Sequence, residues 1–430
     1  MSRLVVHKKR IAVILLSLTM VFLLFLILFG LNRQIIDEVA GEKESVRKAP
    51  EVIRIGYAIS LTGPYSAGAA TSVIPNYKLW EKEVNEKGGI YLSEFDKRVP
   101  IMLIEYDDKS EIETAIKLVE KLILEDKVDL LLHPWGTAMN IAVAPLVNKY
   151  NYPIICNTAA SIKLREVAST IPYFFSMLNN PDDTMKEFVQ FLVHQYEKGE
   201  IGNNVAVLFV GDFFGIEGAG VLAPELVMHG FKLVHYESYP LGSTKFSPLL
   251  KEVKGKNPDV FISISYPEDT FMIVEQSKLL DFNPLIFYSA VGTAFPYFRD
   301  TFGADTVEGI MGHGVWNPNL PYEGGREYFE NHKAFLNREP DRWASAFGYA
   351  SLQILEQAIE IVGSINRQEI RDVIAENEFD TIIGKVRFHN QFNVQFPGVF
   401  GQWQKGEFEL VWPPDNAAAS SPIVPKPPWP

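Results

Sequence analysis

From residue 51 onward, short apolar runs alternate with segments in which apolar residues recur every third or fourth position, the pattern of strand followed by helix. VIRIGYAIS (52–60) predicts a strand and LTGPYSAGAATS (61–72) a small-residue turn. The stretch through Asn76 and Trp80 then predicts a helix that stops at Lys87-Gly88-Gly89. VPIMLIEYDD (99–108) is the next strand, and its helix is expected to start at Ser110, with Glu113 closing a capping box. LLLHPWGTAMNIAVAPLVNKYNYPII (130–155) reads as strand, a break at His133-Pro134, a helix from Gly136-Thr137, and a strand again from Pro153. A second round follows the Asn179-Asn180-Pro181 break. It predicts a helix over 182–196, a strand in NNVAVLFVGD (203–212), and loop plus helix in FFGIEGAGVLAPELVMHG (213–230). Strands at 231–239, in NPDVFISIS (257–265) and in PLIFYSA (284–290) come next, with a helix from Pro267 between the last two. Such repeated units give an α/β fold with parallel sheets. A long Ala- and Gly-rich helix covers 345–362, and KVRFHNQFN, GVFGQWQ and EFELVW beyond it read as strands or a hairpin. The final PKPPWP (425–430) is too proline-rich to pack as an element.

In open α/β sheets, ligands bind beyond the carboxyl ends of the strands, where helix N-termini present N–H groups. Trp135, Gly136 and Thr137 fall at such a place; the plainer alternative is an N-cap threonine and a packed ring. The acidic pair Asp107-Asp108 precedes a helix and fits dipole complementation better than chemistry.

The first 50 residues follow different rules. Arg3, Lys8, Lys9 and Arg10 precede 21 uncharged residues, 11–31, which as a helix would span roughly 30 Å, a bilayer core. A secretory signal is the competing reading, but its apolar region is shorter and a small-x-small cleavage site follows it. An uncleaved signal anchor is therefore expected, with the basic cluster cytoplasmic and the remainder of the chain extracytoplasmic at the cell membrane. Residues 32–50, polar and ending at Pro50, read as a linker.

The 430 residues, 47% hydrophobic, suffice for two cores. The net charge of −13 and the absence of a basic patch with interleaved aromatics exclude nucleic acid as a partner. The single cysteine, Cys156, allows no intramolecular disulfide and lies in an apolar run as a buried hydrophobe. The eight histidines lack metal-ligand spacing. GDFFGIEGAG lacks the phosphate-loop ending, and no G-x-S-x-G elbow occurs. No catalytic residue, metal site or cofactor is assigned; the chain reads as a binding protein, not an enzyme.

Several stretches together resemble one family: IRIGYAISLTGPYSAGA, the NEKGGI turn, the strand ending YDD, HPWGTAMNIAVAPLVNKYNYPII, GDFFGIEGAG, KEVKGKNPDVFISISY and GQWQKGEFELVWPPD. In order and spacing, over residues 52–430, they resemble the solute-binding proteins of branched-chain amino-acid ABC transporters, the Leu/Ile/Val-binding or type I periplasmic-binding-protein family. The resemblance implies two Rossmann-like lobes with parallel sheets, joined by a three-strand hinge and here preceded by a membrane helix. Lobe 1 would hold residues 51–178 and 310–383, and lobe 2 residues 179–309 and 384–430, with crossovers near 178, 309 and 384. It implies capture of a small polar ligand (amino acid, amide or carboxylate) between the lobes, with ABC permease and ATPase subunits as partners. A ligand-sensing receptor component signalling to a membrane partner is the alternative.

By the same resemblance, Thr137 and the loop Thr158-Ala159-Ala160-Ser161 would hold a ligand carboxylate. Ala160 stands where a threonine is usual, so Thr158 or Ser161 must supply the hydroxyl. Tyr266 and Phe214 would contact the ligand from lobe 2, and Tyr65 or its neighbours would line lobe 1. The family's acidic partner for an α-ammonium aligns with Ala290 and Val291. Either Glu268 or Asp269 substitutes for it, or the ligand is not an α-amino acid. Trp135, Phe214 and Tyr266 would make an aromatic-rich pocket, with Trp316 either joining them or lying in a core.

N-terminal sequencing of the membrane-extracted protein is expected to find residues 11–31 still attached; a mature form beginning between residues 32 and 51 would show a cleaved signal.

Overall fold

A computed structural model describes residues 48–167, 170–178, 180–395, 400–414 and 419–430. Among them no helix is long and apolar enough to cross a membrane. The expected anchor at 11–31 and most of the linker at 32–50 lie outside the described residues.

The central strands, such as Ile53–Ile59 and Val260–Ile264, form where apolar runs are buried on both faces. Ile53–Ile59 lies between Ile101–Asp107 and Leu130–Leu131, parallel to both. Ile154–Cys156 pairs in parallel with Phe174–Ser176 and continues through Phe392–Asn393 to Gly384–His389 and Glu378–Thr381. The second lobe holds a larger sheet of seven described strands. Its order is Glu407–Trp412, Phe400–Gln404, Ile310–Gly312, Ile286–Ser289, Val260–Ile264, Asn204–Val210, Lys232–Tyr239. Its centre is parallel, and only the 400–412 hairpin runs antiparallel, which agrees with the expected tail strands.

Helices cover these sheets along apolar stripes. Ile112–Leu124 buries Ala115, Val119, Leu122 and Ile123, one face of a 3.6-residue repeat. Ala344–Val362 buries mostly small side chains at its start, so it approaches closely; a Cβ on Gly348 would lie 2.8 Å from Asn157 Nδ2.

Three expectations need correction. Strand pairing sets the changes of sheet later than residues 309 and 384: Ile310–Gly312 still belongs to the second-lobe sheet, and Gly384–His389 with Phe392–Asn393 still belongs to the first. A strand stays in a sheet as long as its ladder lasts, and a resemblance in motif order does not fix that point.

Ser110 makes no capping box. The helix begins at Ile112, and Lys109 and Ser110 take φ of 58° and 60°. Ser110 Oγ instead accepts from the Tyr65 amide at 3.1 Å and donates to Thr62 O at 2.8 Å. Asp107 joins it by accepting from the Leu61 and Thr62 amides. The polar residues read as a helix start thus fasten the loop that carries Tyr65.

The proline-rich tail packs. Lys426 N–H donates to Leu285 O at 2.8 Å, and the Trp429 indole donates to Phe282 O at 2.9 Å. Gln402 Nε2 and Oε1 hold Ile423 O and its amide. Lys426 is only 4% exposed. Its ammonium lies 3.6 Å from the Trp429 ring centroid, 2.6 Å from Asn283 Oδ1 and 2.8 Å from Pro427 O. Proline prevents regular structure but not side-chain docking.

Burial pushes the Lys426 ammonium down to about 7 from its ordinary 10.5. The unfolded chain then keeps a proton that the folded chain sheds across that window, so stability contributed here rises with pH between those values. Urea unfolding at about pH 7 and about pH 10 is expected to show wild type gaining on Lys426→Met at the higher pH. A difference that does not change with pH would show that the Trp429 ring and the two oxygens keep the lysine charged in the folded chain.

Candidate functional site

The carboxyl ends of the parallel strands in the two lobes face one another, and each leads through a short loop into a helix. On the first lobe, Gly136 (φ 96°) turns the chain into the helix Thr137–Lys149. Its amide donates to Thr158 Oγ1 at 3.2 Å. Asn140 Nδ2 reaches Pro134 O at 2.8 Å, Gly136 O at 2.9 Å and Thr158 Oγ1 at 3.3 Å. Thr137 Oγ1 accepts from the Ala160 amide at 3.3 Å. The loops after two strands are therefore bonded into one platform. Within it Ala159 and Ser161 are buried, and Ser161 Oγ accepts from the Lys163 amide at 3.1 Å. Trp135 lies across this platform, its indole donating to Ser72 Oγ at 2.9 Å. Gly68 makes room for that ring, since a Cβ there would fall 2.1 Å from it.

On the second lobe, Asp212 caps the helix Phe213–Met228 by accepting from the Gly215 amide at 3.2 Å. The helix Pro267–Leu279 starts after Tyr266, whose amide donates to Asp269 Oδ2 at 3.3 Å.

These two sets of loops meet. Tyr266 OH donates to Asp212 Oδ2 at 2.8 Å, and Tyr65 OH donates to the same oxygen from the other lobe at 3.2 Å. The Tyr65, Trp135 and Tyr266 rings stand 5.1 to 5.7 Å apart, centroid to centroid, and Phe214 adds a fourth ring 5.4 Å from Tyr266. Such tilted and edge-on pairs are favourable contacts between rings. Further ties cross the cleft at its rim. The Ile162 amide donates to Glu217 Oε2 at 3.0 Å, and the Arg165 guanidinium pairs with Asp182 at 2.9 Å and Asp183 at 2.7 Å.

Burial raises the Asp212 carboxyl, while the two tyrosine hydroxyls and the Gly215 and Phe214 amides hold it down. The tyrosine hydroxyls are in turn pushed up by burial and by the carboxylate, so they stay protonated and serve as donors. Asp269, pushed up to about 7 by burial, is turned away and taken by Tyr239 OH at 3.2 Å and the Tyr266 amide. Glu268 is exposed. Ala290 and Val291, where the family's acidic partner aligns, are both buried. The carboxylate that does face the rings is Asp212, which the sequence reading passed over while testing its loop for phosphate binding. Its signal was an aspartate directly after a strand, the same signal as a plain helix cap.

The sequence-predicted residues therefore divide. Tyr65, Trp135, Phe214 and Tyr266 come together around Asp212. Thr137, Thr158, Ala159, Ala160 and Ser161 form the adjoining platform, where the Thr158 hydroxyl donates to Pro134 O at 3.2 Å within the first lobe. Trp316 lies in a core, bonded to Ile382 O at 3.2 Å and packed on Tyr328. His133 is buried and, by desolvation, held neutral with its pKa near 4. The buried Cys156 thiol is pushed up to about 12. Among the described residues no group of three or more His, Cys, Asp or Glu is placed to hold a metal ion.

The profile of the periplasmic binding protein family matches residues 52–407. Leu/Ile/Val-binding protein homolog 8 of Brucella melitensis is 22% identical over 356 residues, 78% of this chain and 84% of its own. A branched-chain amino acid transporter substrate-binding protein from Streptococcus pneumoniae, solved with isoleucine, shares the fold at a TM-score of 0.71 and 19% identity, over 83% of this chain and 98% of that one. So does a solute-binding protein of an ABC transporter from R. palustris, solved with benzoate, at a TM-score of 0.71 and 15% identity, over 83% and 94%. With two α/β lobes, loops converging from facing strand ends and a family profile spanning most of its length, the chain belongs to the periplasmic binding protein family, and it is a solute-binding protein rather than an enzyme.

Proposed function

We propose that this protein captures a small solute between its lobes outside the cytoplasm and delivers it to an ABC-type membrane permease. The observation that carries this reading is the meeting of Tyr65, Asp212 and Tyr266 across the lobes beside the Thr137 platform. Two half-sites, each incomplete alone, are what a ligand needs if it is to stabilise lobe closure by its differential affinity. The structural neighbours that are substrate-binding proteins of transporters support the transport role.

In this reading Thr137 and Tyr266 hold the ligand from opposite sides. The Thr137 hydroxyl, already accepting from the Ala160 amide, keeps its proton for a ligand oxygen at the start of its helix. Tyr65, Trp135, Phe214 and Tyr266 give the pocket its aromatic walls, and Thr158 to Ser161 shape its floor. The apolar Ala290 and Val291 leave an α-ammonium no acidic partner beside them, and a buried ammonium without one would cost several kcal/mol. Asp212, whose carboxylate faces the rings, is the acidic group the cleft does offer, so either it meets an ammonium or the buried end of the ligand is uncharged. Relatives solved with isoleucine and with benzoate bracket the size of such a solute.

A thermal-shift screen over amino acids, amides, ureas and aromatic carboxylates supplies the ligand. Calorimetry with that compound on Thr137→Ala and Tyr266→Ala, with folding followed by circular dichroism, is then expected to show losses of about 1–3 kcal/mol, roughly tenfold to a hundredfold in affinity. Two well-folded variants that bind like wild type would place the site elsewhere.

A further inference from the structure

The first lobe has an open cavity at its other end, away from the cleft. The cleft is built at the carboxyl ends of the strands; this cavity lies at their amino ends, against the residues that lead into Leu130–Leu131 and Ile154–Cys156. Its volume of about 540 Å³ falls within the range of about 300–1,000 Å³ usual for small-molecule sites. Lys127, Asp129, Asn151, Tyr152 and Arg367 line it, with Ile365 as an apolar patch. The Arg367 guanidinium lies over the Tyr152 ring, 3.9 Å from its centroid, and the Tyr152 hydroxyl is tied down by donating to Val128 O at 2.7 Å. Stacking holds a guanidinium by its face and leaves its N–H groups for an acceptor.

The carboxylates nearby are engaged elsewhere. Asp126 pairs with Lys121 at 3.8 Å and Asp372 with Arg371 at 3.0 Å, so among the described residues neither Lys127 nor Arg367 is in an ion pair. Asp129 Oδ2 accepts from the Arg54 amide at 2.7 Å. Burial raises the Asp129 carboxyl, and the Arg54 amide and the charges of Arg54 and Arg367 act against it, which sets both cations beside the cavity. The Arg54 Nε is buried and has no hydrogen-bond partner. Three cations thus surround one carboxylate, in a chain whose net charge is −13.

We propose that this cavity binds a small phosphate-bearing molecule, its oxyanion taken by Arg367 and Lys127 and its polar body by Asn151. Guanidinium N–H groups match phosphate oxygens in pairs, and such charge-assisted bonds are the strong ones. The volume exceeds what a bare ion needs, so the phosphate carries an organic body of about the size of glycerol. A soluble phosphate ester and a lipid headgroup share this chemistry. Residues 51–53 lead into the lobe at this same end, the end to which the expected anchor at 11–31 is connected. None of these residues belongs to the Tyr65, Asp212 and Tyr266 set, so the site stands independently of the cleft.

Calorimetry on the full chain in detergent, in phosphate-free buffer at fixed ionic strength, tests this with two probes. Glycerol 3-phosphate represents a soluble ester, and glycerophosphoglycerol the headgroup of an anionic lipid. Saturable binding is expected, and the tighter probe identifies the source. Arg367→Gln and Lys127→Met, with circular dichroism unchanged, should each weaken that probe about tenfold. Asp129→Asn keeps an acceptor for the Arg54 amide but removes the negative charge from the lining, and should tighten binding severalfold. No saturable binding of either probe would overturn the site, as would folded Arg367→Gln and Lys127→Met variants that bind like wild type. Weaker binding in a folded Asp129→Asn variant would overturn the anionic class of ligand.

Discussion

One carboxylate oxygen in an apolar setting accepts hydroxyl protons from both lobes. Asp212 Oδ2, held by Tyr266 from its own lobe and by Tyr65 from the other, is the point on which the arrangement of the cleft turns. A carboxylate withdrawn from water is costly unless its lone pairs are matched, and here two phenols and the first-turn amides of a helix match them. The rings that exclude water from the carboxylate are the same rings that would line a ligand. Binding and closure would then be built from the same atoms. The rim contacts from Ile162 and Arg165 add to this, but Arg165 is substantially exposed, and exposed ion pairs contribute little.

The supports of this centre come from residues with unremarkable local roles. Asp212 is a helix cap, Ser110 and Asp107 fasten the loop before Tyr65, and Gly68 leaves space for the Trp135 ring. None of them needs to touch a ligand to matter. Each fixes the position of a group that would, and the preorganised rings and donors then lose little freedom on binding.

Much of the fold was legible because its signals are periodic. Fully buried runs such as 205–210 and stripes such as Ala115, Val119 and Leu122 reflect burial directly. Trp135 and Thr137 were singled out because they follow a strand, and Tyr266 and Phe214 by the family resemblance; the structure brings the Trp135, Tyr266 and Phe214 rings together where the lobes meet. Asp212 escaped notice because a capping aspartate and a cleft-facing one look alike until the partner lobe is in position. The tail was misread because proline content speaks to backbone regularity, whereas Lys426 and Trp429 dock through side chains. The sheet-change points at the hinge depend on ladder length, and a single strand of two or three residues there carries almost no pattern.

The central claim is that the Asp212 carboxylate ties the lobes together. Serine is also a good helix cap, so Asp212→Ser keeps the start of the helix Phe213–Met228 while removing the shared acceptor. Small-angle X-ray scattering on wild type and Asp212→Ser, with matching circular dichroism, measures the consequence directly. A larger radius of gyration in the variant, from lobes that spend more time apart, is the predicted result. Superimposable scattering profiles from two equally folded proteins would contradict the account.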